Sequence, residues 1–326
     1  MGALKLKFAC SRYDRIEPLR DGRVKPDGID LEVVSNLGVR ELFDAMMQGS
    51  DFDLAEFSSS EHIAMTCAGG SPFVALPVFV SKAFRLGFVT INRRNGVNSP
   101  KDLAGKRIGV PLYTMSAALW CRGMLEDEYG VDFSNVTWVQ GAVEKPGSHG
   151  NPHPPPLLKP VKIEINTSPY SLGTLLAKGE IDAILGAVLP PELRTHEDVV
   201  RLFPDFRQIE KDYYRRTRIH PIMHLVAIRK GVFEANPWIA RSLYEAFNRA
   251  KAMAWQEAIY DGAQKYMLPF LYDDIEEIHQ VFDGDPWPYG LTKNRPTLLK
   301  QIEYMHRQAM IARQPSLDEI FADVGE

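Results

Sequence analysis

Apolar residues fall in short runs separated by turn residues, and their spacing changes along the chain. Leu4–Ala9 reads as a strand, with residues 10–15 as the loop leaving its carboxyl end. Asp21-Gly22 and Asp27-Gly28 mark turns, and residues 29–35 form the next strand. Val39, Leu42, Phe43, Met46 and Met47 recur at helical spacing, and Gly49 ends that helix. Residues 52–57 make a third strand. Ser58 follows as a helix cap, with Glu61 three residues on to complete a capping box. This β-α-β-α beginning predicts a mainly parallel sheet. Ligands of such sheets sit beyond the carboxyl ends of the strands, which singles out residues 11–15 and 56–60 as wall segments.

Further strands are expected at 73–79 and 87–92. Ser99 and Pro100 open a short capped turn, and residues 108–111 start a second α/β unit. A helix opens at 113–116, with Ala117, Trp120, Cys121, Met124 and Leu125 as its apolar stripe. Strands follow at 136–140 and 181–185, with Leu172–Ala177 as a helix between them. A strand at 225–229 leads into helices at 237–260, 273–282, 295–312 and 316–321. The chain therefore leaves one lobe, builds another and returns. The first lobe comprises 1–92 plus 223–326, and the second 93–222. Two crossings make a hinge, and a cleft between lobes is a common ligand site.

The length of 326 residues supports two lobes rather than one core. A formal charge of -4 gives no pull toward nucleic acid or anionic membranes. No apolar run approaches the roughly 20 residues of a membrane span. Lys5 and Lys7 interrupt the first apolar stretch, and Arg12 and Asp14 follow it, unlike a secretory signal. A cytoplasmic location is the expectation. Cys10, Cys67 and Cys121 are too few and too scattered for a disulfide framework or a zinc site; they read as reduced thiols.

Candidate chemistry concentrates in residues 212–224. Arg215, Arg216, Arg218, His220 and His224 gather there with Tyr213 and Tyr214, directly before the strand at 225–229. Arginine's planar fork matches a carboxylate, so this cluster suits a small, multiply anionic ligand; the alternative is a solvated loop with a structural ion pair. Free N–H groups where the 113–116 helix opens, with the Thr114 and Ser116 hydroxyls, make an anion site or simply cap the helix. The loop Asp285, Pro286, Trp287, Pro288, Tyr289 offers aromatic faces for a planar ligand, or a lid packed on the core. His149 and His153 lie in a Pro/Gly-rich stretch with no third ligand nearby, so no metal is expected.

These stretches resemble a known family. Tyr13-Asp14-Arg15, Ser71-Pro72, Pro77-Val78-Phe79, Ala83-Phe84-Arg85, residues 105–111 with Tyr113, Trp120, Arg122-Gly123 and 125–131 carry the likeness. Most specific are residues 212–218, 221–224 and Trp287-Pro288-Tyr289-Gly290. Together they cover most of residues 4–295, and only the insert at 149–156 departs from the pattern. The chain looks like a 4,5-dihydroxyphthalate decarboxylase, on the two-lobed type 2 periplasmic-binding-protein-like α/β fold. The superfamily is mostly non-catalytic solute binders, so a binder of an aromatic carboxylate is the alternative.

The resemblance implies loss of carbon dioxide from a dihydroxylated aromatic dicarboxylate, without a cofactor. That chemistry needs a proton donor aimed at a ring carbon, a group to share a phenol proton, and cations for the carboxylates in a dry cleft. On this basis His224 is the proton donor, and Glu56 or Asp14 its partner or the phenol base. Arg85, Arg216 and Arg218 clamp carboxylates with Thr114 and Ser116. Tyr13, Tyr113 and Trp287 wall the ring, and Ser58 lies in the binding wall. The expected partner is a small aromatic dicarboxylate. Neither nucleic acid nor membrane is expected, and assembly into a homo-oligomer is left open.

Overall fold

The alternating runs resolve into two β-sheets flanked by helices. The computed structural model describes residues 2–152 and 154–326. In chain order the strands are β1 (Leu4–Ala9), β2 (Ile29–Val34), β3 (Leu54–Ser58), β4 (Phe73–Lys82), β5 (Thr90–Asn92), β6 (Arg107–Val110), β7 (Thr137–Gln140), β8 (Ile163–Ile165), β9 (Ala183–Ile184), β10 (Val199–Arg201) and β11 (Ile222–Arg229). One sheet runs β2-β1-β3-β11-β4 and the other β10-β5-β9-β6-β7-β8. In the first, β1, β2 and β3 are parallel, and β11 enters antiparallel between β3 and β4. Its central strands are buried on both faces: every residue of β3 is buried.

The helices are α1 (Glu17–Arg20), α2 (Val39–Met47), α3 (Ser59–Cys67), α4 (Ser116–Tyr129), α5 (Leu172–Ala177), α6 (Glu192–Thr195), α7 (Phe206–Thr217), α8 (Lys230–Ala235), α9 (Ile239–Ala258), α10 (Leu271–Phe282), α11 (Leu291–Arg307) and α12 (Leu317–Ile320). The long α9 buries its alanine-rich stripe, Ala240, Leu243, Ala246, Phe247, Ala250 and Ala254, at the 3–4 residue spacing of one helix face. No helix of the described residues is long and apolar enough to cross a membrane.

Three expectations are corrected. The strand read at 87–92 is split: Leu86–Phe88 is a 3-10 turn, and β5 pairs with β9 and β10 in the second sheet. The turn packs closely against Phe206, whose ring would lie 2.5 Å from a Cβ on Gly87. The outward crossing is therefore at residues 83–89. It pairs with the return crossing through Ala83 N to Pro221 O at 3.0 Å. Residues 212–217 are not a loop but the end of α7, whose inward stripe is Phe206, Ile209 and Tyr213. The helix ends at Arg218 in the left-handed region, φ 58°. The capping box at Ser58 is half formed. Ser58 Oγ accepts from Glu61 N, but the Glu61 carboxylate turns away to Arg40 at 2.6 Å.

Strand β4 carries a defect that organises the surrounding loops. Val226 pairs with Leu76 and His224 with Ser81, so residues 77–80 bulge opposite Leu225. Pro77 brings no N–H to a ladder, which suits a bulge. The freed carbonyls find other donors. Pro77 O accepts from Gly290 N, Phe79 O from Trp287 Nε1, and Val80 O from the Arg15 guanidinium. The Trp287–Gly290 motif and Arg15 thus secure one irregular strand.

Candidate functional site

The register of β3 and β11 builds the chemical centre. His224 stands opposite Ser58 and Val226 opposite Glu56, so His224 and Glu56 are diagonal neighbours on one face. His224 Nδ1 lies 2.6 Å from Glu56 Oε1. The same oxygen accepts from Tyr13 Oη at 2.6 Å, and Oε2 accepts from Ser11 N at 2.9 Å and Cys10 Sγ at 3.6 Å. Glu56 is fully buried. Burial alone pushes its carboxyl up, but the hydrogen bonds and charge of His224, with Tyr13 and the Ser11 N–H, outweigh it and hold the pKa at about 2. An ionised carboxylate only accepts hydrogen bonds, so Nδ1 carries the hydrogen. That leaves Nε2 as the ring nitrogen turned away from Glu56. Among the described residues it has no hydrogen-bond partner, and the side chain keeps 20% exposure. The ring edge is steadied by Phe43, centroids 5.0 Å apart at 84°.

Tyr13 stays protonated, its pKa raised first by burial and then by the Glu56 charge. Burial and Glu56 likewise push the Cys10 thiol well up, which removes it as a nucleophile.

Arg85 supplies the positive charge. It is buried on the outward crossing, and no carboxylate among the described residues bonds it. Its Nε meets Met223 Sδ at 3.3 Å, and Nη1 reaches Ala187 O at 3.4 Å. Its guanidinium stacks on Phe88. Burial lowers its pKa, the mark of a cation short of counter-charge. Met223 precedes His224 and Ala187 follows β9, so Arg85 sits where both sheets converge.

Around this centre, hydroxyls at strand ends lack partners. The Oγ atoms of Ser11 and Ser35, after β1 and β2, and Thr114 Oγ1, after β6, are buried without hydrogen bonds among the described residues. Buried polar groups are normally satisfied, so these three hydroxyls are exceptions. Ser58 and Ser116 act otherwise. Ser116 Oγ accepts from Ser60 N at 3.1 Å, and Ser58 and Ser59 approach it at 3.4 and 3.1 Å. These hydroxyls join the starts of α3 and α4 across the two lobes. A crevice of about 530 Å³ opens nearby, bounded on one side by Arg40 and Asp44 of α2 and on the other by Pro111, Val143, His149 and Val188.

The remaining expectations are relocated. Asp14 is exposed and pairs with Arg15, so Glu56 alone is the partner of His224. The Tyr113 ring is buried between Arg122, 3.8 Å from its centroid, and Trp138. Trp287 gives its N–H to Phe79 O and its ring to Arg15. Arg216 is 60% exposed and pairs with Glu128. Glu128 lies twelve residues along α4 from Ser116, about 18 Å at helical rise. Arg218 is 53% exposed and pairs with Asp283 at 2.8 Å. The structure brings neither arginine to the Glu56–His224 pair. His149 lines the crevice, and His153 lies outside the described residues. Arg40 was not anticipated. Its i,i+4 partner Asp44 on a recognised helix was the available signal.

Comparison with known proteins gives a consistent result. A family model described as NMT1/THI5 like matches residues 24–145. The 4,5-dihydroxyphthalate decarboxylase of Comamonas testosteroni is 36% identical over 324 residues, covering 98% of this chain and 97% of that protein. The protein of the same name from Pseudomonas putida is 37% identical over 219 residues, 66% of this chain and 83% of that one. Among solved structures, the periplasmic aliphatic sulphonate binding protein SsuA of Escherichia coli superposes with a TM-score of 0.53. It is 11% identical and covers 98% of this chain and 92% of that one. The likeness is one of fold: two α/β lobes of the periplasmic-binding-protein kind.

Proposed function

The chain belongs to the 4,5-dihydroxyphthalate decarboxylase family, a family of carboxy-lyases, and we propose that it releases carbon dioxide from 4,5-dihydroxyphthalate or a close dihydroxylated analogue. With 4,5-dihydroxyphthalate the other product is protocatechuate. The observation that carries this reading is the buried Glu56 carboxylate holding His224 by Nδ1, with Nε2 unbonded among the described residues.

A phthalate carboxylate pairs with Arg85, since a dianion cannot be buried without cations. The phenolic oxygens take the unpartnered Ser11 and Thr114 hydroxyls. His224, as imidazolium, gives its Nε2 proton to the ring carbon that bears the other carboxylate. The ring supplies the electron pair for that C–H bond, made richer as a phenol proton is shared. The carbon–carbon bond then breaks, its pair returns to the ring and carbon dioxide leaves. One carboxylate is exchanged for one proton, and the imidazole regains its proton from water. Glu56 fixes the tautomer and stabilises the imidazolium, while Tyr13 and the Ser11 N–H fix Glu56. These steps use proton transfer and charge pairing alone, so they call for no cofactor.

The test is carbon dioxide release from 4,5-dihydroxyphthalate by the purified chain and by His224→Ala, with binding measured in parallel. Turnover lost and binding kept in the variant supports the reading. Tight binding by the native chain with no carbon dioxide released points instead to a solute binder of the same fold.

A further inference from the structure

Beside the two crossings lies a second cavity, also of about 530 Å³, which the decarboxylation chemistry leaves unused. Helices α9 and α10 and the 285–287 loop bound it, and Phe84 and His220 line it from the outward and return crossings. Its wall is aromatic, with Phe282, Trp255 and Trp287 facing Phe84 and His220. Its cations already have partners. Arg15 bonds Asp14 Oδ1 at 3.0 Å and Val80 O, and Lys251 bonds Asp285 at 3.0 Å. A dicarboxylate finds no free positive charge there.

One polar atom is left over. His220 is nine-tenths buried and stacks on Phe84, centroids 4.7 Å apart and planes at 13°, while its Nδ1 has no hydrogen-bond partner among the described residues. Burial first, then the nearby Lys82 charge, pushes its pKa well below the usual histidine value, so the ring is neutral.

We propose that this cavity is a binding site for an uncharged phenolic ring, separate from the Glu56–His224 pair, with the phenol hydroxyl on His220 Nδ1. A hydroxyl both gives and accepts a hydrogen bond, so it satisfies either tautomer of a neutral imidazole. A flat ring matches aromatic walls by stacking, and the volume admits a single-ring ligand. The Arg15 guanidinium, 4.1 Å from the Tyr13 ring centroid and 4.2 Å from that of Trp287, is the partition between this cavity and the Tyr13–Glu56 bond. The proposal does not rest on the decarboxylation chemistry and stands if that fails.

Calorimetric titration of the full chain with catechol tests it. Ala252 lines the cavity from the exposed side of α9, so Ala252→Trp fills the space without disturbing the core. Saturable one-to-one binding is expected in the native chain and in Arg85→Gln. Binding should weaken about tenfold in His220→Phe, the effect of losing one buried hydrogen bond, and vanish in Ala252→Trp. No binding at millimolar catechol, binding undiminished in Ala252→Trp, or binding lost in Arg85→Gln each overturns the proposal. Should His220→Phe fail to fold, the Ala252→Trp and Arg85→Gln pair still decides it.

Discussion

His224 and Glu56 are diagonal neighbours across an antiparallel strand pair, 168 positions apart in the chain and 2.6 Å apart at Nδ1 and Oε1. Strand register alone puts them on one face. The irregular pairing of β11 with β4 on either side of His224 then re-aims its backbone away from a regular ladder. The result is an imidazole oriented by a buried carboxylate, with its far nitrogen free.

A proton donor in this position contributes about 10²–10⁴ to the rate. His224→Gln is therefore expected to lower kcat for 4,5-dihydroxyphthalate by roughly that factor, while the dissociation constant changes little. Single-turnover carbon dioxide release alongside equilibrium binding checks this. A variant that loses binding and turnover together would place His224 in substrate recognition instead.

Glu56 makes stability depend on acid. Its folded pKa of about 2 lies below the ordinary 4.5. A depressed carboxyl gives stability that is complete above the unfolded value and is lost as pH falls through the folded one. The window runs from about pH 4.5 down to 2, and the contribution is on the order of 3 kcal/mol. Denaturant midpoints across that range should fall more steeply for the native chain than for Glu56→Gln. Parallel curves would mean that the carboxyl is not held ionised in the fold.

Arg85 and the two surface arginines are expected to behave differently. Arg85→Gln removes a buried cation that has no salt bridge among the described residues and should raise KM about 10–100-fold, the loss of one charge-assisted contact. Arg216→Gln and Arg218→Gln break solvent-exposed ion pairs with Glu128 and Asp283. They should leave kcat and KM within about twofold. Steady-state kinetics on the three variants decides whether the basic segment contacts substrate.

Trp287→Phe keeps an aromatic ring but leaves Phe79 O without its donor. The expected cost is about 1–3 kcal/mol in chemical denaturation, with kcat retained. A collapse of kcat at unchanged stability would return Trp287 to the substrate wall.

Much of the framework could be read from the residues, because local forces decide it. Helices at Val39–Met47 and Leu172–Ala177 and strands at Leu4–Ala9 and near 54–58 follow from spacing and turn residues within one window. The start of α7 was hidden by its charged face. Its stripe is only Phe206, Ile209 and Tyr213 in a mostly charged segment, too few apolar positions to set a clear period. The short strands β8 and β10 carry too few residues for any pattern, and only their neighbours in the sheet hold them. Of the candidate site, Glu56, His224 and Tyr13 converge and Arg85 lies against Met223, whereas Asp14, Tyr113, Trp287, Arg216 and Arg218 are engaged elsewhere.

The amino-acid order by itself determined the two α/β units and the strands that carry the candidate site, because apolar period and turn chemistry act between near neighbours. It also placed a histidine and a carboxylate on strands able to meet. Only the tertiary structure decided that Glu56 rather than Asp14 takes His224, and that Arg85 rather than Arg216 or Arg218 stays unpaired. Such choices depend on which charges lose water and which reach a partner across the sheet, and dielectric and distance are properties of the packed chain.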